Sequence, residues 1–273
     1  DQTARMNVNW NIGLRHNLEA GASTTIYKTN YSVQLGDSVI LIDQEINGNL
    51  FEGYFQDRWA TSPGLEILMG LRTSRFSKSS VSYFNPRLSV FYRFTDELFF
   101  KASTGITHQF LNRFSNDLIT NGSKFVWLLP NDNADPMTAQ QISLGIEYDT
   151  PHIFIGFDIY NKVIDNITDF SQLVFPVDTY IEETSTLVFK GSGMAKGLEL
   201  LVRKKDGYLR GWAAYNYGIV ECEFPVLNGG KTFLADHDRT HELKSAIIWS
   251  SGPWNMAVTG LISSGRVYTP NSN

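Results

Sequence analysis

The chain has 273 residues, of which 42% are hydrophobic and 19% charged, with a formal net charge of −5. That balance excludes a disordered chain and argues against general nucleic-acid binding. Cys222, the single cysteine, leaves no intrachain disulfide and no thiolate metal cluster, and no stretch approaches the 18 or so uninterrupted apolar residues of a membrane-spanning helix.

In chain order, the first segment places Met6, Val8, Trp10, Ile12 and Leu14 on one face and Asn7, Asn9, Asn11, Gly13 and Arg15 on the other. Period-two alternation of this kind is a strand with one apolar and one wet side. A short turn is expected at His16-Asn17, then a long connection over residues 28–48. The next hairpin turns at Ser62-Pro63-Gly64, and residues 76–85 form the next long connection. Leu88, Val90, Tyr92 and Phe94 oppose Arg87, Ser89 and Arg93, with Phe91 as the exception. After a turn at Thr95-Asp96, Leu98, Phe100, Ala102, Thr104 and Ile106 oppose Lys101 and Ser103, with Phe99 out of place. A connection over residues 110–138 precedes Ile142, Leu144, Ile146 and Tyr148, which oppose Gln141, Ser143 and Glu147. Thr150-Pro151 turns into Ile153, Ile155, Phe157 and Ile159, opposite Asp158 and Tyr160. Residues 164–194 connect to Leu198, Leu200 and Val202, opposite Glu199 and Arg203. Turns at Lys205-Asp206-Gly207 and Ser251-Gly252-Pro253, with a connection over residues 220–238, lead to Trp254, Met256, Val258 and Ile262.

Six short turns alternating with long connections, at two strands per short turn, predict about twelve antiparallel strands. No sustained helical period competes with them. Short turns at one end and long loops at the other mark an up-and-down transmembrane β-barrel of the outer-membrane kind. Aromatics near strand ends (Tyr54, Trp59, Tyr92, Phe94, Tyr148, Tyr215, Tyr217, Trp249 and Trp254) suit the girdles at the two membrane interfaces. A soluble carbohydrate-binding β-sandwich also alternates and stands as a competing architecture.

Several segments together resemble the barrel of the TonB-dependent outer-membrane receptors. Phe51-Glu52-Gly53-Tyr54-Phe55-Gln56-Asp57-Arg58-Trp59 resembles that barrel's Tyr-x-Gln-Asp-x-Trp strand, and Leu65-Glu66-Ile67-Leu68-Met69-Gly70-Leu71-Arg72 the strand that follows it. Asn85-Pro86-Arg87-Leu88 through Thr104-Gly105, Gly145-Ile146-Glu147-Tyr148 with Phe157-Asp158-Ile159-Tyr160-Asn161, Lys196-Gly197-Leu198-Glu199-Leu200, and Asp236-His237-Asp238-Arg239-Thr240-His241 are similar to later hairpins in the same order. Ser264-Gly265-Arg266-Val267-Tyr268-Thr269-Pro270 is similar to a loop entry of Bacteroidota members. The resemblance implies a barrel of 22 strands, a plug domain, a TonB box and a bacterial outer-membrane location. Residues 1–273 are thus expected to be a barrel segment without plug or TonB box, with free edges at the strands starting near Thr3 and ending near Ser263. A self-contained twelve-stranded porin, adhesin or enzyme is the alternative.

No catalytic constellation, cofactor site or metal site is expected. His237 and His241 lie roughly 13 Å apart in an extended strand, too far to share one ion, and Ser245 is equally remote from His241. On the polar side, Arg72, Arg87, Arg93, Lys101, Glu147, Asp158, Glu199, Arg203 and Lys244 are the lumen-facing candidates, read either as plug or ligand contacts or as a solvated wall. In the long connections Tyr31, Phe114, Phe125, Trp127 and Tyr180, with Phe110, Phe175, Phe224, Phe233 and nearby Tyr27, are candidates for ligand stacking or for packing over the mouth. The implied partners are outer-membrane lipid, an imported siderophore, glycan or cobalamin, the plug and the TonB complex, with no nucleic acid. Short turns are expected on the periplasmic side and long connections outside the cell.

Overall fold

Alternation and tight turns fold the chain into one long meander. The structure, a computed structural model, describes residues 1–35, 39–115, 125–129, 135–170, 188–225 and 227–267. Strands β1 (Gln2–Ile12), β2 (His16–Leu35), β3 (Val39–Ser62), β4 (Leu65–Phe76), β5 (Ser82–Arg93) and β6 (Leu98–Gln109) follow one another. A small hairpin, β7 (Asn112–Ser115) and β8 (Phe125–Leu128), stands off the main sheet. The meander resumes with β9 (Met137–Asp149), β10 (Ile153–Phe170), β11 (Val188–Lys204), β12 (Leu209–Glu223), β13 (Phe233–Leu234), β14 (His241–Ser251) and β15 (Trp254–Ser263). Thirteen strands form one antiparallel sheet in the order β1-β2-β3-β4-β5-β6-β9-β10-β11-β12-β14-β15, with short β13 also paired to β12.

The sheet is open. No pairing joins β1 to β15 among the described residues, so the chain forms neither a closed twelve-stranded barrel nor the two packed layers of a sandwich. Twelve residues, the length of β4, β5 and β6, rise about 40 Å along the strand. Tilted by about 40°, they cover roughly 30 Å, enough to cross an apolar band about 25 Å tall. No described helix is long and apolar enough to cross a membrane.

Register makes the two faces continuous from strand to strand. Val8 pairs with Ala20, Ala20 with Phe55, Phe55 with Leu71, and farther on Val90 with Ala102, Ala102 with Leu144, Leu144 with Ile159. Ile155 pairs with Val202, and Ile247 with Val258. Directly opposed residues share a face. This one therefore carries the apolar set, and its side chains project freely: Val258 is 66% exposed and Trp10 51%.

Two expectations need correction. The first turn is Gly13-Leu14-Arg15, not His16-Asn17: Gly13 adopts φ 60°, His16 already pairs with Ile12 in β2, and Leu14 leaves the apolar row to stand fully exposed. The long connections are also shorter than expected. β2 and β3 stay paired from His16–Trp59 out to Leu35–Val39, because β-formers continue through Tyr31, Val33, Ile40 and Ile42. β10 and β11 likewise remain paired to Phe170–Val188. The closed core sits at the long-loop end, where Leu50, Phe76, Phe110 and Leu129 pack with Tyr27, Tyr83 and Leu111.

Candidate functional site

Opposite the apolar face lies a wall of polar side chains. All nine charged candidates sit on it. Arg72 pairs with Tyr54, Arg87 with Gly70, Arg93 with Phe99, Lys101 with Gly145, Asp158 with Glu199, Arg203 with Trp212 and Lys244 with Ala214, and Glu147 lies opposite Phe99.

Across β1 to β5 the wall is a continuous hydrogen-bonded network. Glu19 accepts from the Tyr54 hydroxyl at 2.5 Å and from Gln56 Nε2 at 2.5 Å, while Arg87 donates to Gln56 Oε1. The Arg72 guanidinium lies 5.5 Å above the Tyr54 ring and 3.6 Å from Glu52, which also accepts from Ser74 at 3.2 Å and Ser23 at 3.3 Å. Glu19, Glu52, Tyr54 and Gln56 were not singled out as candidates. The available signal was parity within the Phe51–Trp59 segment, since Glu52, Tyr54, Gln56 and Arg58 occupy alternate positions.

Over β6, β9 and β10 a second cluster forms: Lys101 Nζ lies 2.6 Å from Glu147 and 3.4 Å from Asp158, and Ser103 and Ser143 share a 2.7 Å hydrogen bond. Farther along, Glu242 binds Lys244 at 2.6 Å and Arg239 at 3.4 Å. No ion pair among the described residues includes Arg93, Glu199 or Arg203; Arg203 instead lies 5.9 Å over the Phe154 ring.

Missing side chains matter as much as present ones. A Cβ at Gly145 would collide with Asp158 and Lys101, and one at Gly21 with the Tyr54 ring. At these positions glycine lets long polar groups of neighbouring strands lie flat against the wall. The arrangement can bind and guide polar surfaces. Among the described residues no group of three or more His, Cys, Asp or Glu converges as for a metal.

Asp57 breaks the pattern of its motif. It shares the apolar face with Phe55 and Trp59, accepts from His16 Nδ1 at 2.7 Å, and the His16 ring stacks on Trp59 at 5.7 Å.

At the long-loop end the described aromatics pack against one another. Phe110 sits 5.5 Å from Tyr83 and 6.4 Å from Phe76, and Phe224 lies buried 6.2 Å from Phe233. Tyr31, Phe114, Phe125 and Trp127 fall in β2, β7 and β8 at positions whose side chains lie outside the described residues, as do Phe175 and Tyr180 altogether. Asp238 is 3% exposed and accepts from the Val220 amide at 2.8 Å and the Thr240 hydroxyl at 2.9 Å, so it anchors the return to β14. His241 instead turns to the Tyr215 hydroxyl at 2.8 Å.

An open antiparallel arc with one apolar and one polar, glycine-lined face defines a segment of an outer-membrane-type barrel. A family profile described as TonB dependent receptor-like, beta-barrel matches residues 1–273, and the chain belongs to that family. Solved structures agree in fold. The ferric enterobactin receptor PfeA of Pseudomonas aeruginosa, in complex with BCV-L6, aligns with TM-score 0.68 at 17% identity, over 94% of this chain and 40% of the receptor. The siderophore receptor PirA of Acinetobacter baumannii aligns with TM-score 0.65 at 15% identity, over 94% and 41%. The FrpB iron transporter of Neisseria meningitidis gives 0.65 at 12%, over 93% and 40%. The chain thus spans about two fifths of these receptors' length. A comparison with curated protein sequences gave no match.

Proposed function

We propose that this chain forms part of the barrel wall of an outer-membrane receptor that imports a ferric siderophore or another scarce nutrient by TonB-coupled passage. The family and the similar structures are transport receptors rather than enzymes. The observation that carries the reading is the two-faced sheet: an apolar face fit for lipid backs a polar wall of paired charges and glycines fit for a hydrated lumen. Under this reading the short turns are periplasmic, the long connections are extracellular, and Arg72, Arg87, Arg93, Lys101, Glu147, Asp158, Glu199, Arg203 and Lys244 line the lumen. Loop aromatics such as Tyr31, Phe114, Phe125, Trp127 and Tyr180 recognise the ligand from outside. The siderophore-receptor neighbours support the ferric ligand class over a glycan or a cobalamin. The test is uptake of radiolabelled iron, presented with a panel of siderophores, by cells with and without the full-length receptor and with and without TonB. Receptor-dependent uptake lost without TonB is expected; uptake indifferent to either contradicts the proposal.

A further inference from the structure

The apolar side of the sheet carries an acid that the receptor reading does not use. Asp57 lies on β3 between Phe55 and Trp59, directly opposite Leu18 of β2 and Met69 of β4. Met69 is the fifth residue of β4. Asp57 therefore stands roughly 13 Å along the strand from the short-turn end, or about 10 Å along the membrane normal at a tilt of about 40°. A carboxylate among apolar side chains at that depth is costly, and an ionisable group inside a membrane marks a candidate site in its own right.

Its one partner is aromatic. Asp57 Oδ2 accepts from His16 Nδ1 at 2.7 Å, and the His16 ring lies nearly parallel to Trp59, with 11° between the planes. The second oxygen, Oδ1, is buried with no hydrogen-bond partner among the described residues. The imidazole is the open half of the pair, its side chain 39% exposed against 16% for Asp57. With Nδ1–H donating to the carboxylate, Nε2 holds the lone pair of the ring and points away from Asp57. The pair thus offers acceptors and a negative charge, and no free donor. Arg15 precedes His16 in the turn, exposed and in no ion pair among the described residues. From the turn inward the chain sets out a cation, an acceptor and an anion.

That order is the complement of a phosphodiester joined to a primary amine. A quaternary ammonium has no N–H to give to Nε2, and a glycerol headgroup has no cation for the carboxylate. We infer that His16 and Asp57 form an outward-facing site for the headgroup of an amine-bearing phospholipid. The ammonium donates to His16 Nε2, Asp57 holds the ring and supplies the opposite charge, and Arg15 meets the phosphodiester. This rests on the apolar face meeting lipid, as in the receptor reading above.

The experiment reconstitutes the full-length receptor in nanodiscs of equal parts phosphatidylethanolamine, phosphatidylcholine and phosphatidylglycerol. After transfer to mild detergent, the lipid that stays bound is read by native mass spectrometry. Preferential retention of phosphatidylethanolamine is expected. Asp57→Asn keeps an acceptor for His16 Nδ1 and removes the charge; His16→Phe keeps the stack on Trp59 and removes the acceptor. Each should cut the preference about tenfold, the loss of one hydrogen bond to a charged group. Asp96→Asn, at another short turn, should leave it unchanged. Folding is checked by heat-modifiable gel mobility. If one variant fails to fold, the other and the wild-type preference decide. Equal retention of phosphatidylglycerol, equal retention of phosphatidylcholine, no retained lipid, or an unchanged preference in a folded variant overturns the inference. Siderophore uptake without any lipid preference would sink this site and leave the receptor reading standing; a preference in a receptor that imports no siderophore would do the reverse.

Discussion

On one face of the sheet Leu144, Ile155 and Val258 project away from the protein, 47%, 38% and 66% exposed. On the other, Glu19, Tyr54, Gln56 and Arg87 grip one another across four strands and glycines make room for them. The same backbone carries both, and a step of one residue exchanges them. The difference lies in where the stabilisation comes from. The apolar face depends on its surroundings, since its side chains have few protein neighbours to pack against. The polar face is hydrogen-bonded to itself over β2 to β5 and tolerates water, so its individual contacts are worth less and its geometry more.

The largest effect should come from putting a charge on the apolar face. Leu144→Arg, in central strand β9, should cost about 2–4 kcal/mol in a bilayer, measured as a drop in the urea midpoint of the receptor folded into lipid vesicles. A loss no larger than that of Ser143→Arg, one residue away, would break the distinction between the faces.

Glycine substitutions sharpen it. Gly145→Val drives a side chain into Asp158 and Lys101, and overpacking of this kind should cost roughly 1–3 kcal/mol. Gly53, on the apolar face, has its nearest obstacle for a Cβ at 3.9 Å, in Thr73. Gly53→Ala should therefore be neutral or stabilising by up to about 1 kcal/mol. Equal penalties in the same unfolding assay would show that the wall is not closely fitted.

Ion pairs on the polar face should matter less. A double-mutant cycle on Lys101 and Glu147, whose side chains remain 36% and 26% exposed, should return a coupling of about 0–1 kcal/mol. A markedly larger coupling would mean that the wall is dry there.

The smallest effect concerns pH at the short-turn end. Asp206 accepts from His152 Nδ1 at 2.5 Å, and this hydrogen bond lowers its carboxyl below the ordinary value near 3.8. A depressed acid contributes stability that is present above its unfolded value and is lost as pH falls through the folded one. The contribution should begin to fade only below about pH 4, and Asp206→Asn should lower the unfolding midpoint slightly at pH 7, with a defect that shrinks as the pH is taken down from there. A variant with its largest defect at acid pH would contradict that sign.

Much of this architecture was legible from alternation. The faces of β5, β6, β9 and β10 follow from Leu88-Ser89-Val90 and Ile142-Ser143-Leu144, because period two leaves one solution once a turn is set. The extended β2–β3 pair was not legible. Polar residues such as Asn30 and Asn47 read as loop chemistry, while pairing with a neighbouring strand overrides local propensity. Cross-strand partners were hidden as well: Glu19 meets Tyr54 diagonally across the β2–β3 pair, whose register the sequence does not show because the connection between the two strands is long. The loop aromatics Phe110 and Phe224 left binding and packing open, and burial decides for packing.

The central claim, that one face meets lipid and the other a hydrated lumen, is tested most directly by nitroxide scanning. Spin labels would be placed one at a time from Gln141 to Tyr148 in the full-length receptor reconstituted in bilayers, and collision rates with oxygen and with a water-soluble nickel chelate compared. Oxygen accessibility should peak at Ile142, Leu144 and Ile146, and nickel accessibility at Gln141, Ser143 and Glu147, in strict alternation. In-phase profiles, or nickel maxima at Leu144 and Ile146, would contradict the account.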